Sequence, residues 1–188
     1  SVTQTTMARL DEAATDIEAT PETSILLAPS MLQVCEIIGQ TLARTSQEVG
    51  ERLGESASSA SASMIVAGQR AGGAMRMFLI YPEGNFIEAT ADTPYLQIGE
   101  HKYGKPILDR VVTPQTSLSD AKKAVLLSMD STVRSNLSVG MPLDLVVIEK
   151  DACRVTESRR IDEGDTVFRE MSAAWSEALK DAFSGIKV

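Results

Sequence analysis

The sequence is poor in the residues that build metal sites, disulfide frameworks and catalytic triads. It contains one histidine, His101, and two cysteines in 188 residues. His-rich metal sites are therefore excluded, and a Ser-His-Asp triad has only one candidate base. Cys35 and Cys153 lie far apart, one in a helical pattern and one in a strand-like stretch, and they form neither a disulfide framework nor a CxxC ligand pair. We expect two reduced, buried cysteines in a cytoplasmic protein that holds no metal and no cofactor.

Two further absences exclude whole classes of partner. No apolar run approaches the roughly 20 residues that a membrane-spanning helix requires, so no membrane insertion is predicted. Lys and Arg number 18 against 26 Asp and Glu, and the formal net charge is −8. Because an acidic surface repels phosphate backbones, nucleic acid is not an expected partner.

What is present is the composition of an ordinary globular protein, with 43% hydrophobic and 23% charged residues. A chain of this size buries roughly 70% of its extended-state surface on folding, which is enough for a substantial core. We therefore expect a single domain over residues 1–188. No internal repeat with a period of about 20–50 residues is visible, so a solenoid is not expected.

Two helices are predicted at the beginning of the chain. Apolar residues at helical spacing mark the first helix from near Ser1 until Pro21. They are Met7, Leu10, Ala14 and Ile17. A longer helix follows the Ala28-Pro29-Ser30 break and ends at Gly54. Its apolar positions are Val34, Ile38, Leu42 and Val49.

A run of strands is predicted next, after a Ser/Ala-rich connection over residues 55–63. Gly-containing turns at residues 71–73 and 82–85 separate the first three strands. The predicted strands cover residues 64–69, 77–81, 86–90 and 95–98.

Helices return in the second half. A short one begins near Pro106, since proline is tolerated in a first helical turn. Ser117, followed three residues later by Asp120, is typical of a capped helix start, and this helix continues to the polar turn at residues 134–136. Residues 143–148 are interpreted as a strand buried on both faces.

A further strand around residues 153–156 precedes the last helix. One apolar stripe of that helix contains Phe168, Met171, Trp175, Leu179 and Ala182. The stripe predicts that Trp175 belongs to the core. The whole order, with helices and strands in separate runs, predicts an α+β layered fold, because alternating βαβ units would instead indicate a parallel sheet.

Three segments of mixed polar, Gly and Pro residues are more specific than the helices. They are YPEGNFIEAT at residues 81–90, QIGEHKYGKPILDR at 97–110 and SMDSTVRSNLSVG at 128–140. In these segments and in the order of elements around them, the chain resembles the Anbu group of bacterial proteasome-type peptidases, related to HslV and to proteasome β subunits. The resemblance covers essentially the whole chain.

This resemblance implies a four-layer αββα sandwich, in which two antiparallel sheets pack face to face with helices outside them. A member would begin with about four strands, on the order of 40–50 residues, ahead of the first helix. Here a helical pattern starts almost at once. We therefore expect the fold to be incomplete at the N-terminus.

The resemblance also implies N-terminal-nucleophile chemistry. The side chain of the first residue of the mature chain, usually Thr, attacks the substrate, and its own α-amino group is the base, with a Lys and an Asp on the opening strands. None of these three groups is assigned to a residue here. Ser1 has suitable atoms, but it opens a helical pattern and is interpreted as an N-cap.

Two loops are expected beside the nucleophile. In proteasome subunits the first is a Gly-Ser-Gly-type turn between a strand and a helix, and Gly99, Glu100 and His101 occupy the similar place. Glu100 and Lys102 depart from the small-residue pattern, which leaves the substrate preference open. His101 is interpreted as a surface or subunit-contact residue rather than as a triad base, and no Gly-x-Ser-x-Gly motif is present.

The second loop is Asp-x-x-Ser-Gly in proteasome subunits. Residues 135–138 match it only at the second hydroxyl, so Ser138 is the supporting catalytic residue and Ser135 and Asn136 are cleft residues. A hydroxyl can accept a hydrogen bond from the terminal amine without adding charge. The acid of this loop stays unassigned: Asp130 is the one candidate for it, and the alternative interpretation, which we favour, is a helix-surface residue.

Two functions of different classes follow from the resemblance. The first is a threonine-type peptidase subunit that associates with copies of itself into a ring or a helical stack and cleaves peptides or unfolded protein inside the enclosed chamber. The alternative is a non-catalytic assembly subunit with the same fold. The residue that follows the initiator Met of the natural gene discriminates them, because Thr, Ser or Cys at the start of a strand favours the enzyme.

Overall fold

Five helices and five strands are found in the residues that a computed structural model describes, which are 1–53 and 61–187. The helices are α1 (Val2–Thr15), α2 (Met31–Leu53), α3 (Lys105–Val111), α4 (Leu118–Ser135) and α5 (Thr166–Gly185). The strands are β1 (Met64–Gly68), β2 (Arg76–Ile80), β3 (Phe86–Glu88), β4 (Leu143–Val147) and β5 (Glu157–Ile161). The predicted helix end at Gly54 and the first six residues, 55–60, of the connection predicted over 55–63 lie outside the described residues.

The chain divides into two compact units. Unit 1 contains Ser1–Ile98 and Glu149–Arg154, and unit 2 contains Gly99–Ile148 and Val155–Val188. No helix in the described part of the chain is long and apolar enough to cross a membrane.

Helix α1 begins at the N-cap that the sequence predicted. The Ser1 hydroxyl accepts from the amide of Gln4 at 3.3 Å, and the Gln4 side chain completes a capping box. The buried face of α1 differs from the predicted stripe, because it consists of Val2, Thr6 and Leu10 at four-residue spacing. Leu10 belongs to both patterns, which is why spacing alone did not separate them. Two members of the predicted stripe are exposed, namely Met7 and, beyond the end of the helix, Ile17.

Helix α2 and the first sheet build the core of unit 1. Strands β1, β2 and β3 form an antiparallel meander in that order. The apolar face of α2 packs against Phe78 and Ile80 of β2. This face contains Met31, Val34, Cys35, Ile37, Ile38 and Leu42. The start of the helix and the three strands of the meander therefore confirm the sequence prediction to within a residue or two.

Two glycines allow α2 to lie directly on the turn between β2 and β3. A Cβ on Gly39 would overlap the carbonyl oxygen of Gly84, and a Cβ on Gly84 would lie 2.7 Å from the carbonyl oxygen of Gly39. Gly84 also has a φ of 87°, which only glycine adopts without strain. Both positions therefore require glycine: Gly39 because of the close approach, and Gly84 because of the close approach and its backbone conformation.

The strand predicted at residues 95–98 is wrong. This segment carries no regular secondary structure, whereas the sheet of unit 1 ends at β3 among the described residues. A β-propensity pattern becomes a strand only where a neighbouring strand pairs with it, and pairing is not a property of the segment itself.

In unit 2, strands β4 and β5 form a two-stranded antiparallel sheet that packs against α4 and α5. Residues Leu143, Ile161 and Phe168 form the buried centre of this packing. The prediction that β4 is buried on both faces is wrong, because Asp144 and Val146 are exposed between buried neighbours. One face of β4 lies on the helices, as expected for an antiparallel pair.

Strand β5 begins four residues later than predicted, and Cys153 is exposed rather than buried. Asp151 and Cys153 have φ values of 66° and 50°, so the chain turns here instead of extending. The amide of Asp151 donates to Oε1 of Gln69 at 2.6 Å, and this contact holds the turn in unit 1.

Helix α5 buries less of its apolar stripe than predicted. Only Phe168 and Ser172 are fully buried, Trp175 is half-buried and Leu179 is 50% exposed. The assignment of Trp175 to the core is therefore wrong. The stripe has the right period, but only the first two turns of α5 reach the buried centre of unit 2.

Candidate functional site

The first of the two predicted loops is a tight turn that leads into α3. Gly99 has a φ of 74°, and the amide of Lys102 donates to Oε1 of Glu100 at 2.9 Å, which closes the turn. His101 is exposed, and its Nδ1 lies 3.3 Å from the carbonyl oxygen of Gly99. This geometry leaves His101 on the surface of the turn.

The end of this loop is fixed to α4 by a glycine that sequence reasoning did not single out. Gly104 is buried, and a Cβ placed on it would overlap the hydroxyl of Ser128 and lie 3.0 Å from the Ser128 carbonyl oxygen. The same Cβ would lie 3.1 Å from Oγ1 of Thr132. Gly104 directly precedes α3 and Ser128 lies on the buried face of α4, and the small size of both residues was the available signal.

The second loop begins where α4 ends. Ser135 is the last residue of the helix, and the amide of Asn136 donates to the carbonyl oxygen of Thr132 at 2.9 Å. Oδ1 of Asn136 then accepts two hydrogen bonds from Ser138, one from the backbone amide at 2.9 Å and one from the hydroxyl at 2.7 Å. Ser138 is exposed in the loop that leads to β4.

The structure brings the two loops together through their polar side chains. Nδ2 of Asn136 donates to Oε2 of Glu100 at 2.9 Å, although the two residues are 36 positions apart in sequence. Glu100, Asn136 and Ser138 therefore form one chain of hydrogen bonds, which we call the loop cluster. Gly99 shapes the backbone beside it, and Ser135 ends the helix that carries it.

The carboxylate of Glu100 is the charged member of the loop cluster. Its pKa lies below the ordinary glutamate value, chiefly because the amide of Lys102 donates to it, while partial burial acts in the opposite direction. The side chain of Asn136 and the charges of Lys102 and His101 add to the lowering. Glu100 is therefore ionised at neutral pH and can only accept hydrogen bonds.

The hydroxyl of Ser138 has a defined polarity in this arrangement. Its proton is directed to Oδ1 of Asn136, which leaves the oxygen lone pairs to accept from another donor. Such a hydroxyl can hold an amine without adding charge beside it. The supporting catalytic role of Ser138 stays a prediction.

Three solved structures similar to this chain carry the name Anbu. An Anbu (Gly-1) mutant from Hyphomicrobium sp. strain MC1 is 45% identical, with a TM-score of 0.90 over 100% of this chain and 76% of that one. Anbu from Yersinia bercovieri, described as an ancestral beta-subunit, is 38% identical with a TM-score of 0.91 and the same coverage of both chains. Identity at this level over the full chain decides the family. The chain belongs to the Anbu family.

A third Anbu structure, described as the helical assembly of the complex from Pseudomonas aeruginosa, is 40% identical with a TM-score of 0.91, again over 100% of this chain and 76% of that one. No family model and no curated protein matches the chain. The likeness to the Anbu structures confirms the resemblance inferred from residues 81–90, 97–110 and 128–140, and with it the α+β, proteasome-subunit-like fold class.

Asp130 does not lie on the helix surface as predicted. Its side chain is 7% exposed. The carboxylate accepts a hydrogen bond from Nε of Arg134 at 3.1 Å and another from the hydroxyl of Ser172 at 2.7 Å. Ser172 comes from α5, so the carboxylate joins two helices of the Anbu chain. The four-residue spacing of Asp130 and Arg134 was visible in the sequence, but Ser172 sits within an apolar stripe and gave no signal.

Trp175 lines a cavity of about 500 Å³ at the junction of α3, α4 and α5. Apolar atoms of Ile107, Val111 and Leu127 surround it, and Asp120 and Lys123 stand at its polar side. The half-buried indole faces this cavity. Trp175 therefore lies on the apolar stripe of α5 without belonging to the core.

The two cysteines differ in burial. Burial raises the pKa of the Cys35 thiol to about 11, so this buried cysteine is protonated and inert at neutral pH. Cys153 is a free, exposed thiol. Within residues 1–53 and 61–187, no group of three His, Cys, Asp or Glu side chains is placed to hold a metal ion.

Proposed function

We propose that the chain is part of a subunit of a self-compartmentalising, proteasome-like peptidase that hydrolyses peptide bonds with an N-terminal Thr-type nucleophile. The nucleophile, its amine base and the accompanying Lys and Asp would be supplied by residues that precede the given sequence. The observation that carries the proposal is the loop cluster. It joins the two loops that we expect beside the nucleophile, through hydrogen bonds of 2.7–2.9 Å.

The chemistry places a specific demand on these loops. An α-amino group has an unperturbed pKa of about 7.7–8, so near neutral pH it can accept the proton of the nucleophile. A carboxylate in direct contact would favour the protonated amine, whereas a hydroxyl can hold the amine without that effect. In the loop cluster the hydroxyl of Ser138 stands at the outer end, and the amide of Asn136 separates it from the negative charge of Glu100.

We further propose that the subunit self-associates into a ring or helical stack that encloses the cleft and admits only peptides and unfolded protein. The described helical assembly of the Pseudomonas aeruginosa relative supports this proposal. Exposed apolar side chains near the end of α5, Leu179, Phe183 and Ile186, offer surface for such contacts. A cytoplasmic location is in keeping with the free thiols of Cys35 and Cys153.

The test uses the complete gene product, expressed with its own N-terminus. We expect Thr, Ser or Cys as the first residue of the mature chain, hydrolysis of short fluorogenic peptides, and light-scattering masses of several subunits at micromolar concentration. Replacement of that first residue by Ala should abolish hydrolysis and leave the assembly intact. An assembled protein without a nucleophilic first residue and without activity would instead support the scaffold alternative.

A further inference from the structure

The departure of Glu100 from the small-residue pattern has a structural explanation. A carboxylate free in a substrate cleft would select basic substrate side chains, but each oxygen of Glu100 already accepts a hydrogen bond from within the protein. Oε1 accepts from the amide of Lys102 and Oε2 accepts from Nδ2 of Asn136, each at 2.9 Å. The carboxylate therefore connects the two loops.

We propose that Glu100 is a positioning residue for Ser138 and acts through Asn136, an inference that rests on the proposed peptidase function. A side-chain amide has one accepting and one donating end, and rotation by half a turn exchanges them. Because the ionised Glu100 only accepts, it holds the NH2 end of Asn136 toward itself. The accepting oxygen of Asn136 then faces Ser138, whose amide and hydroxyl both donate to it.

The orientation of Asn136 determines what the Ser138 hydroxyl offers to the amine base. With the present orientation the hydroxyl proton is used on Asn136, and its lone pairs can accept from the amine. With the amide reversed, the NH2 group would face the donating amide of Ser138, and the hydroxyl proton would be released to seek another acceptor. If it bonded to the lone pair of the amine, the base would compete with that bond for the proton of the nucleophile.

The first experiment compares Glu100→Gln with the parent in the complete, assembled protein. A glutamine can accept from Lys102 or from Asn136, but its NH2 end then faces the other donor. We expect kcat to fall about tenfold or more, the scale of a misplaced catalytic group, while KM for an uncharged peptide changes less than about twofold. The matched control is Glu163→Gln, which removes the same charge from an exposed site in unit 2 and should change neither constant.

The decisive variant reverses the hydrogen-bond polarity at both positions. In the Glu100→Gln/Asn136→Asp protein the glutamine can accept from Lys102 and donate to the aspartate, which only accepts and so keeps both bonds from Ser138. We expect this double variant to recover part of the kcat lost in Glu100→Gln, because the hydrogen-bond polarity is restored while the carboxylate at position 136 lies nearer to the amine. A residue that merely kept the loop folded would not give rescue of this kind.

Two kinetic results would overturn the proposal. One is a double variant no faster than Glu100→Gln. The other is a Glu100→Gln protein with unchanged kcat and a raised KM for basic peptides alone, which would make Glu100 a specificity residue.

If the parent protein hydrolyses no peptide, the proposed function fails, and hydrogen exchange of the Ser138 amide still tests the positioning. Exchange should then quicken severalfold in Glu100→Gln and slow again in the double variant, and equal exchange in all three proteins would contradict it.

Discussion

The interior of unit 1 differs in kind from the interior of unit 2. Unit 1 buries an apolar cluster of eleven residues between α1, α2 and the β1–β3 sheet, whereas the corresponding cluster of unit 2 has three, within the described part of the chain. Unit 2 adds a buried carboxylate, Asp130, with Ser172 and Arg134 around it. Apolar packing tolerates small adjustments of direction, but hydrogen bonds define orientation. The loops of the candidate site thus belong to the unit in which polar contacts set the geometry.

The contact between α2 and the Gly84 turn gives the largest expected effect. Gly39→Ala places a Cβ on the carbonyl oxygen of Gly84, and because both partners are backbone neither can move aside. We expect the free energy of unfolding to fall by about 2–3 kcal/mol, measured by denaturant titration.

Gly50→Ala in the same helix is the matched control. A Cβ at Gly50 meets nothing within 4 Å. The substitution should stabilise the protein by about 0.8–1 kcal/mol through helix propensity alone. Equal effects of the two substitutions would mean that the close approach of α2 to the turn does not exist in solution.

The polar interior of unit 2 is tested by Asp130→Asn. The substitution keeps the volume but replaces a charged acceptor of Arg134 and Ser172 by a neutral amide. We expect a loss of about 1.5–2 kcal/mol in the free energy of unfolding, as for hydrogen bonds to charged groups. Asp144→Asn removes an exposed partner of Arg160 and should change stability by less than about 0.5 kcal/mol. A loss as small for Asp130 as for Asp144 would contradict the buried role.

Ser138→Ala separates function from stability. We expect turnover of the complete protein to fall about tenfold or more. Because the side chain is exposed, the melting temperature should stay within about 1–2 °C of the parent value. Ser184→Ala, on the exposed end of α5, is the control for loss of a hydroxyl. Unchanged turnover in a folded Ser138→Ala protein would remove Ser138 from the catalytic machinery.

The smallest effect concerns the charge of Glu100 and its pH dependence. Since folding lowers the pKa of this carboxyl, its contribution to stability is present above the ordinary glutamate pKa and is lost as the pH falls through the lower, folded-state pKa. The melting temperatures of parent and Glu100→Gln should therefore differ above about pH 5 and converge in more acidic solution. A difference that is constant between neutral and acidic pH would mean that the ionised carboxylate is not what joins the loops.

Much of the fold was predictable because its signals are local. The apolar face of α2, the cap at Ser117, the proline at the start of α3 and the turns around Gly84 each depend on residues a few positions apart. The two loops of the candidate site were likewise located from short motifs. The first loop lies before α3 and the second follows α4, and their role beside a nucleophile stays a prediction.

The errors have a common cause, which is dependence on a distant partner. The segment 95–98 has strand propensity but lacks a pairing strand among the described residues, and β4 is buried on one face because only that face meets α4 and α5. Asp130 resembles any helix aspartate until α5 brings Ser172 to it.

The amino-acid sequence alone determines most of the order of the elements, the approximate ends of the capped helices and the membership of the Anbu family, because periodicity, caps and specific motifs are written in neighbouring residues. Tertiary structure alone decides that Glu100 meets Asn136 across 36 positions, and that Asn136 turns its oxygen toward Ser138. The reason is physical. A side-chain amide has no preferred orientation of its own, and it acquires one only when folding places an obligate acceptor on one side and two donors on the other.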